Sequence, residues 1–238
     1  MGDKRNGEEK DIEKLKNKEN NKRMCYDAKS SFMAWIICTF IAILLWIRDG
    51  EYDRSLAAFI FIFAIIQLLE FLVYKGGDKS IIARLIYIAL WLQPFIFIWA
   101  VKSYDVCNKY TILLTILYGL LFLYSIYIAT TKFSWGITKG ENSHLVWKYG
   151  NNKTFLGGLG ILYIIGIFLP LLFLVWKSNY SIGLILLLIY AIFSFIYSYY
   201  KYHNTGEMGS MWCYIAVGFA FLAWFIGIFH KKCSAKID

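Results

Sequence analysis

Glu70 is the only acidic residue inside any of the long apolar runs of this chain, and Gln67 stands three residues before it. At helical spacing both side chains project from one face. A carboxylate turned toward hydrocarbon costs several kcal/mol, so this face must seek the protein interior, a partner or a proton. The chemistry on offer is acid–base: proton carriage, general acid or base catalysis, or recognition of a polar ligand. Arg84 is the candidate counter-ion. It and Glu70 each stand seven residues from Gly77 in the Gly76-Gly77 turn, so the two lie at equal depth on antiparallel neighbours. The count leaves their rotation about the helix axes open.

Other candidates surround this pair. Gln93 precedes Pro94 in the third run, where proline frees a backbone carbonyl and Gln93 brings a donor and an acceptor near mid-membrane. Tyr190, Ser194, Tyr197, Ser198 and Lys201 recur every three or four residues, a polar stripe expected to line a cavity or face other helices. His203 and Glu207 follow in the next connection and fall at the membrane level of Glu70, Arg84 and Lys201. A phosphate-binding pair or a proton relay can be built from that set. So can the polar pairs and capped ends that any helical bundle needs, and no residue is assigned as catalytic.

The elements that must position these groups are helices in a membrane. Of 238 residues, 59% are hydrophobic and only two are proline, with the apolar residues gathered in long unbroken runs. A soluble chain is about 45–50% apolar and disperses those residues. About 20 helical residues cross a hydrocarbon core of roughly 30 Å, and lipid offers no partner to an unpaired backbone amide. The expected fold is an all-α bundle of seven transmembrane helices over Ser31–Ile47, Ser55–Tyr74, Ser80–Val101, Tyr110–Thr130, Phe155–Trp176, Tyr180–Tyr200 and Gly209–Phe229. Trp46, Tyr74, Tyr110, Trp176, Tyr180, Tyr200 and Trp212 mark span ends as an interfacial belt does. Residues 1–30, rich in both charges and nearly devoid of apolar side chains, read as a disordered tail; 31–230 form the membrane domain and 231–238 a short basic tail.

Seventeen Lys/Arg fall on the side of the N-terminus and eight on the other, nine of the seventeen in the tail, which predicts a cytoplasmic N-terminus and a C-terminus outside. The longest connection, 131–154, carries Trp135, Trp147, His144 and four lysines and reads as a solvated loop or one lying on an anionic leaflet. Cys107 and Cys233 both fall outside and are within the scope of pairing. The net charge of +9 sits in tails and loops flanking the runs, which speaks for membrane orientation and against nucleic acid. No C-x-x-C or His-x-x-x-His occurs, and no metal or cofactor is expected. The seventh run has no lysine for a retinal Schiff base, and neither Asp/Glu-Arg-Tyr nor Asn-Pro-x-x-Tyr is present to mark a G-protein-coupled receptor.

Gln67-x-x-Glu70, Gln93-Pro94 and Gly209-Ser210-x-Trp212-Cys213 together resemble motifs of poorly characterised seven-span membrane proteins of giant DNA viruses and bacteria. The resemblance touches three of the seven helices. It implies a multi-span fold in a viral or host-derived internal membrane and carries no activity with it. Three functions stay open. The first is a non-catalytic membrane protein whose partner is membrane lipid, another protein or a second copy of the chain. The second is a proton-coupled transporter or channel using Glu70, and the third a membrane-embedded lipid-modifying enzyme using Glu70, His203 and Glu207.

Overall fold

A computed structural model describes residues 28–50, 52–102, 109–131, 134–140, 144–149, 158–178, 181–202 and 204–234. The expected tail up to residue 27, Cys107 and His203 lie outside the described residues, as does the side chain of Cys233. Among the described residues seven long helices follow in order: α1 (Ala28–Arg48), α2 (Asp53–Tyr74), α3 (Lys79–Lys102), α4 (Lys109–Thr130), α5 (Gly158–Lys177), α6 (Ile182–Tyr202) and α7 (Met208–Ser234). All seven are long and apolar enough to cross a membrane, so the chain is a multi-pass membrane protein. Between α4 and α5 stand two short strands, β1 (Trp135–Lys139) and β2 (Leu145–Tyr149).

Six helices form a closed ring in the order α1, α2, α3, α5, α6, α7, and α4 stands outside it against α3. Within the ring α2 and α3 are the most buried, with about two thirds of their spans inside, whereas α4 buries 17% of its own. Most of the α4 surface, including Leu113, Ile116, Leu120 and Leu123, faces outward as an apolar wall suited to lipid. Where α4 meets α5, Gly166 permits the approach: a Cβ there would stand 2.6 Å from the Cβ of Pro94 and collide with the Tyr118 ring. Tyr118 donates a hydrogen bond to the Leu162 carbonyl across the same contact.

Two connections show how the sequence fixes the ring. After Tyr74 the chain turns through Gly76 at φ +90, with Gly77 N–H bonded to the Leu72 carbonyl, a left-handed helix stop that suits glycine. Asp78 then caps α3, its carboxylate accepting from the Ser80 and Ile81 amides at 2.8 and 2.9 Å. At the opposite end, Arg48 of α1 donates to both carboxylate oxygens of Asp53 at 2.6 and 2.7 Å and to the Trp224 carbonyl of α7 at 2.6 Å. This clamp ties α1, α2 and α7 together. It was not anticipated from the sequence.

The connection 131–154 departs most from expectation. Its described part is an antiparallel hairpin, with Trp135 paired to Tyr149 and Lys139 to Leu145. One face of it packs on α3 and α7. The reason is the alternation of β1: Trp135 and Ile137 are buried while Gly136 and Thr138 on the other face are not, so one face is apolar up to Lys139 at the strand end. Trp135 meets the Tyr87 ring of α3 at 5.2 Å. Gly140 and Gly209 allow this docking, since a Cβ on Gly140 would collide with the Glu207 carboxylate and one on Gly209 would stand 2.6 Å from the Trp147 ring.

Candidate functional site

The hairpin roofs one end of the bundle, and the acidic and amide side chains singled out in the sequence lie beneath it. Gln67 and Glu70 are 1% and 3% exposed, and Gln93 and Glu207 are fully buried. Helical spacing puts Gln67 on the face of Glu70, and its amide donates to Glu70 Oε2 at 3.3 Å. The Ser210 hydroxyl, from the first turn of α7, and the Trp147 indole, from β2, also act on this carboxyl as donors. Among the described residues no hydrogen bond reaches Glu70 Oε1 or Gln67 Oε1.

The expected partner is elsewhere. Among the described residues no salt bridge joins Arg84 to Glu70, and Arg84 is half-buried with its Nε making no hydrogen bond. Equal distance from the Gly76-Gly77 turn fixed depth alone, and Gln67, Ser210 and Trp147 act on Glu70 as neutral donors in place of the cation.

Gln93 belongs to a second cluster. Its Oε1 accepts a hydrogen bond from the Tyr163 hydroxyl of α5, while its Nε2 makes none. Tyr163 is held edge-on between Trp91 and Trp212, at 6.3 and 5.9 Å between ring centroids. Trp212 in turn meets Phe63 at 6.0 Å, and Phe63 meets Phe59 at 4.7 Å. On α2, Phe63 and Phe59 lie about one and two turns from Gln67, on the side away from Glu70. A void of about 20 Å³ beside them, bordered by Phe59, Phe63, Ser194 and Trp212, has room for about one water.

The α6 stripe divides. Tyr190 donates to the Ile215 carbonyl at 2.9 Å, and Ser194 accepts from the Trp212 indole at 3.2 Å, so these residues hold α6 against α7. Ser198 is fully buried, and among the described residues its hydroxyl makes no hydrogen bond. Tyr197, however, is 48% exposed, and its hydroxyl accepts from Lys201 on the outer surface. It lines no interior path.

Glu207 forms a third cluster, in which it accepts a hydrogen bond from Thr205 at 2.9 Å. Next to it lies His144, a residue the sequence offered only as part of a loop in solvent or on a membrane surface. His144 is 2% exposed and packs edge-on against Tyr202 at 5.2 Å. Burial pushes its imidazole down to about 4; the Glu207 carboxylate opposes that shift, and Lys201 adds to it. The hydrophobic alternation Trp135-x-Ile137, followed by Leu145-x-Trp147, was the available signal that this segment turns inward with His144.

Chemically, the arrangement is a set of buried polar contacts beneath a hairpin. Among the described residues no group of three His, Cys, Asp or Glu is placed to hold a metal ion. Comparison with known proteins adds no assignment: no protein-family model matches the chain, and no curated protein is significantly similar to it.

Proposed function

We propose that this protein is a non-catalytic, multi-pass membrane protein that acts by binding membrane lipid or a protein partner through its outer surface. The observation that carries this reading is the closure of the Glu70 cluster, with Gln67 and Glu70 at 1% and 3% exposure under a hairpin roof. A group that transfers protons to a substrate or carries them across a membrane needs access to water or ligand at some stage. Trp147, Ser210 and Gln67 instead surround the carboxyl with side chains that knit the hairpin, α7 and α2 together. The resemblance of Gln67-x-x-Glu70 and the Gly209-Ser210-x-Trp212-Cys213 segment to giant-virus proteins supports a viral or host-derived membrane as its location.

The test is reconstitution of the full chain in liposomes carrying a pH-sensitive dye. No proton-linked flux is expected, and Glu70→Gln should leave the trace unchanged. A flux that Glu70→Gln abolishes would overturn the reading.

One observation favours a second reading, proton-coupled transport. Among the described residues Glu70 has no cation partner and an unbonded Oε1, which is how a group that binds and releases a proton is built. That reading requires the hairpin to lift, and the flux measurement separates the two.

A further inference from the structure

We propose that the groove between α1, α2 and α3, at the end of the bundle away from the hairpin, is a binding site for a zwitterionic phospholipid. The groove has a volume of about 290 Å³ and is lined by apolar side chains, with Ala42 and Trp46 on α1, Ala57, Ala58 and Phe61 on α2, and Ile96 on α3. Ligand clefts begin at about this size. Small side chains make the depression: Ala42 and Ala57 are buried at its base, while Trp46 and Phe61 stand up at 56% and 44% exposure as its walls. In a bilayer such a channel faces hydrocarbon, so an acyl chain is the complementary filling.

The head-group end is what makes the site particular. Arg54 stands four residues before Ala58 and seven before Phe61, and therefore on the same face of α2 above the groove. Its guanidinium lies 5.9 Å from the centre of the Trp46 ring and pairs with Asp49 at 2.6 Å. Unlike the buried Arg48–Asp53 clamp beside it, this pair is about half exposed on both members. An exposed plus–minus pair beside an interfacial tryptophan complements the phosphate and ammonium of an ethanolamine or choline head group. Phosphate binds Arg54 and the ammonium binds Asp49. Asp49 holds φ 52, a left-handed conformation that asparagine also tolerates, so its charge can be removed without changing the turn.

This inference rests on the reading of the protein as a lipid-binding membrane protein, but it fails separately from it. Glu70-dependent flux would end that reading and leave the groove untouched; the experiment here tests the groove and leaves the closed Glu70 cluster standing whatever its result.

The experiment uses the full chain in nanodiscs containing a phosphatidylethanolamine with a photoreactive group on its acyl chain, with crosslinks mapped by mass spectrometry. Crosslinks should concentrate on 42–46, 57–62 and Ile96. Ala58→Phe, which fills the groove from its rim, should lower them about tenfold, the ratio of a modest loss of affinity. The doubly substituted Asp49→Asn, Arg54→Gln protein should lose the preference for phosphatidylethanolamine over diacylglycerol as competitor; both residues are at the surface, so this second variant reads out even if Ala58→Phe fails to fold. Labelling spread evenly over α4 and α6 would overturn the proposal as bulk lipid contact. So would unchanged labelling in a folded Ala58→Phe protein, crosslinking to a second copy at these residues, or stronger competition by an anionic phospholipid than by a zwitterionic one.

Discussion

The Gln67 amide donates to the Glu70 carboxylate at 3.3 Å, one helical turn away, and among the described residues no cation joins them. Both residues are sealed inside the bundle. A buried carboxyl balanced by neutral donors behaves differently on substitution from one paired with arginine, because its removal strands no opposite charge.

Glu70→Gln should therefore leave stability unchanged or raise it by about 1–2 kcal/mol, as the replacement of costly buried charge does elsewhere. Thermal unfolding in detergent checks this. A loss of more than about 2 kcal/mol would mean that Glu70 holds a charge partner the structure does not reveal.

The Arg48–Asp53 clamp predicts the reverse. With side-chain exposures of 13% and 7%, removal of one partner leaves the other charge nearly buried. Asp53→Ala should cost about 3–5 kcal/mol. Arg48→Lys should cost a large part of that, since an ammonium cannot serve the carboxylate and the Trp224 carbonyl with a planar fork. A double-mutant cycle on the two positions should show strong coupling.

Acid should loosen the hairpin. His144 titrates near 4 in the folded protein and at 6.5 when free of it, so the imidazole is neutral in both states above about 6.5. Below that the unfolded or undocked chain takes up a proton first, and stability falls as the pH drops from 6.5 toward 4, then levels off. The groups facing it are Glu207, Lys201 and Tyr202, of which Glu207 works against the effect. His144→Phe keeps a ring against Tyr202 and removes the proton site. Proteolysis of the hairpin measured between pH 7 and pH 4 should then be flatter with pH than in the wild-type protein.

Docking of the hairpin depends on its glycine. A Cβ at Gly140 would collide with the Glu207 carboxylate, so that buried side chain or the hairpin itself has to shift. Gly140→Val should cost about 1–3 kcal/mol, the range of overpacked sites, and expose Trp147 to a water-soluble quencher. Unchanged quenching would show that the roof tolerates the added methyls.

The seven helices were legible in the sequence because hydrocarbon imposes length and apolarity on every span; α3, expected at Ser80–Val101, runs Lys79–Lys102. The Gly76-Gly77 turn was equally plain, since few residues other than glycine take φ +90. Depth could be counted from that turn, but rotation could not, and Arg84 was lost as a partner for Glu70. The hairpin escaped because strands of five residues between long apolar runs read as loop when lysines and glycines are counted and the alternation of Trp135, Ile137 and Thr138 is not. With it went His144 and the contribution of Trp147 to the Glu70 cluster.

The most direct test of a closed, non-catalytic interior is the reactivity of a cysteine placed at Glu70. With Cys25, Cys107 and Cys233 changed to serine, Glu70→Cys protein in sealed vesicles is treated with a charged maleimide from either side. The buried position predicts labelling no greater than in the same background without the added cysteine. Labelling from one side, strengthened at low pH or by Gly140→Val alone, would fit a roof that lifts only under stress. Ready labelling at neutral pH in the protein with its hairpin intact would contradict closure and turn the assignment toward transport.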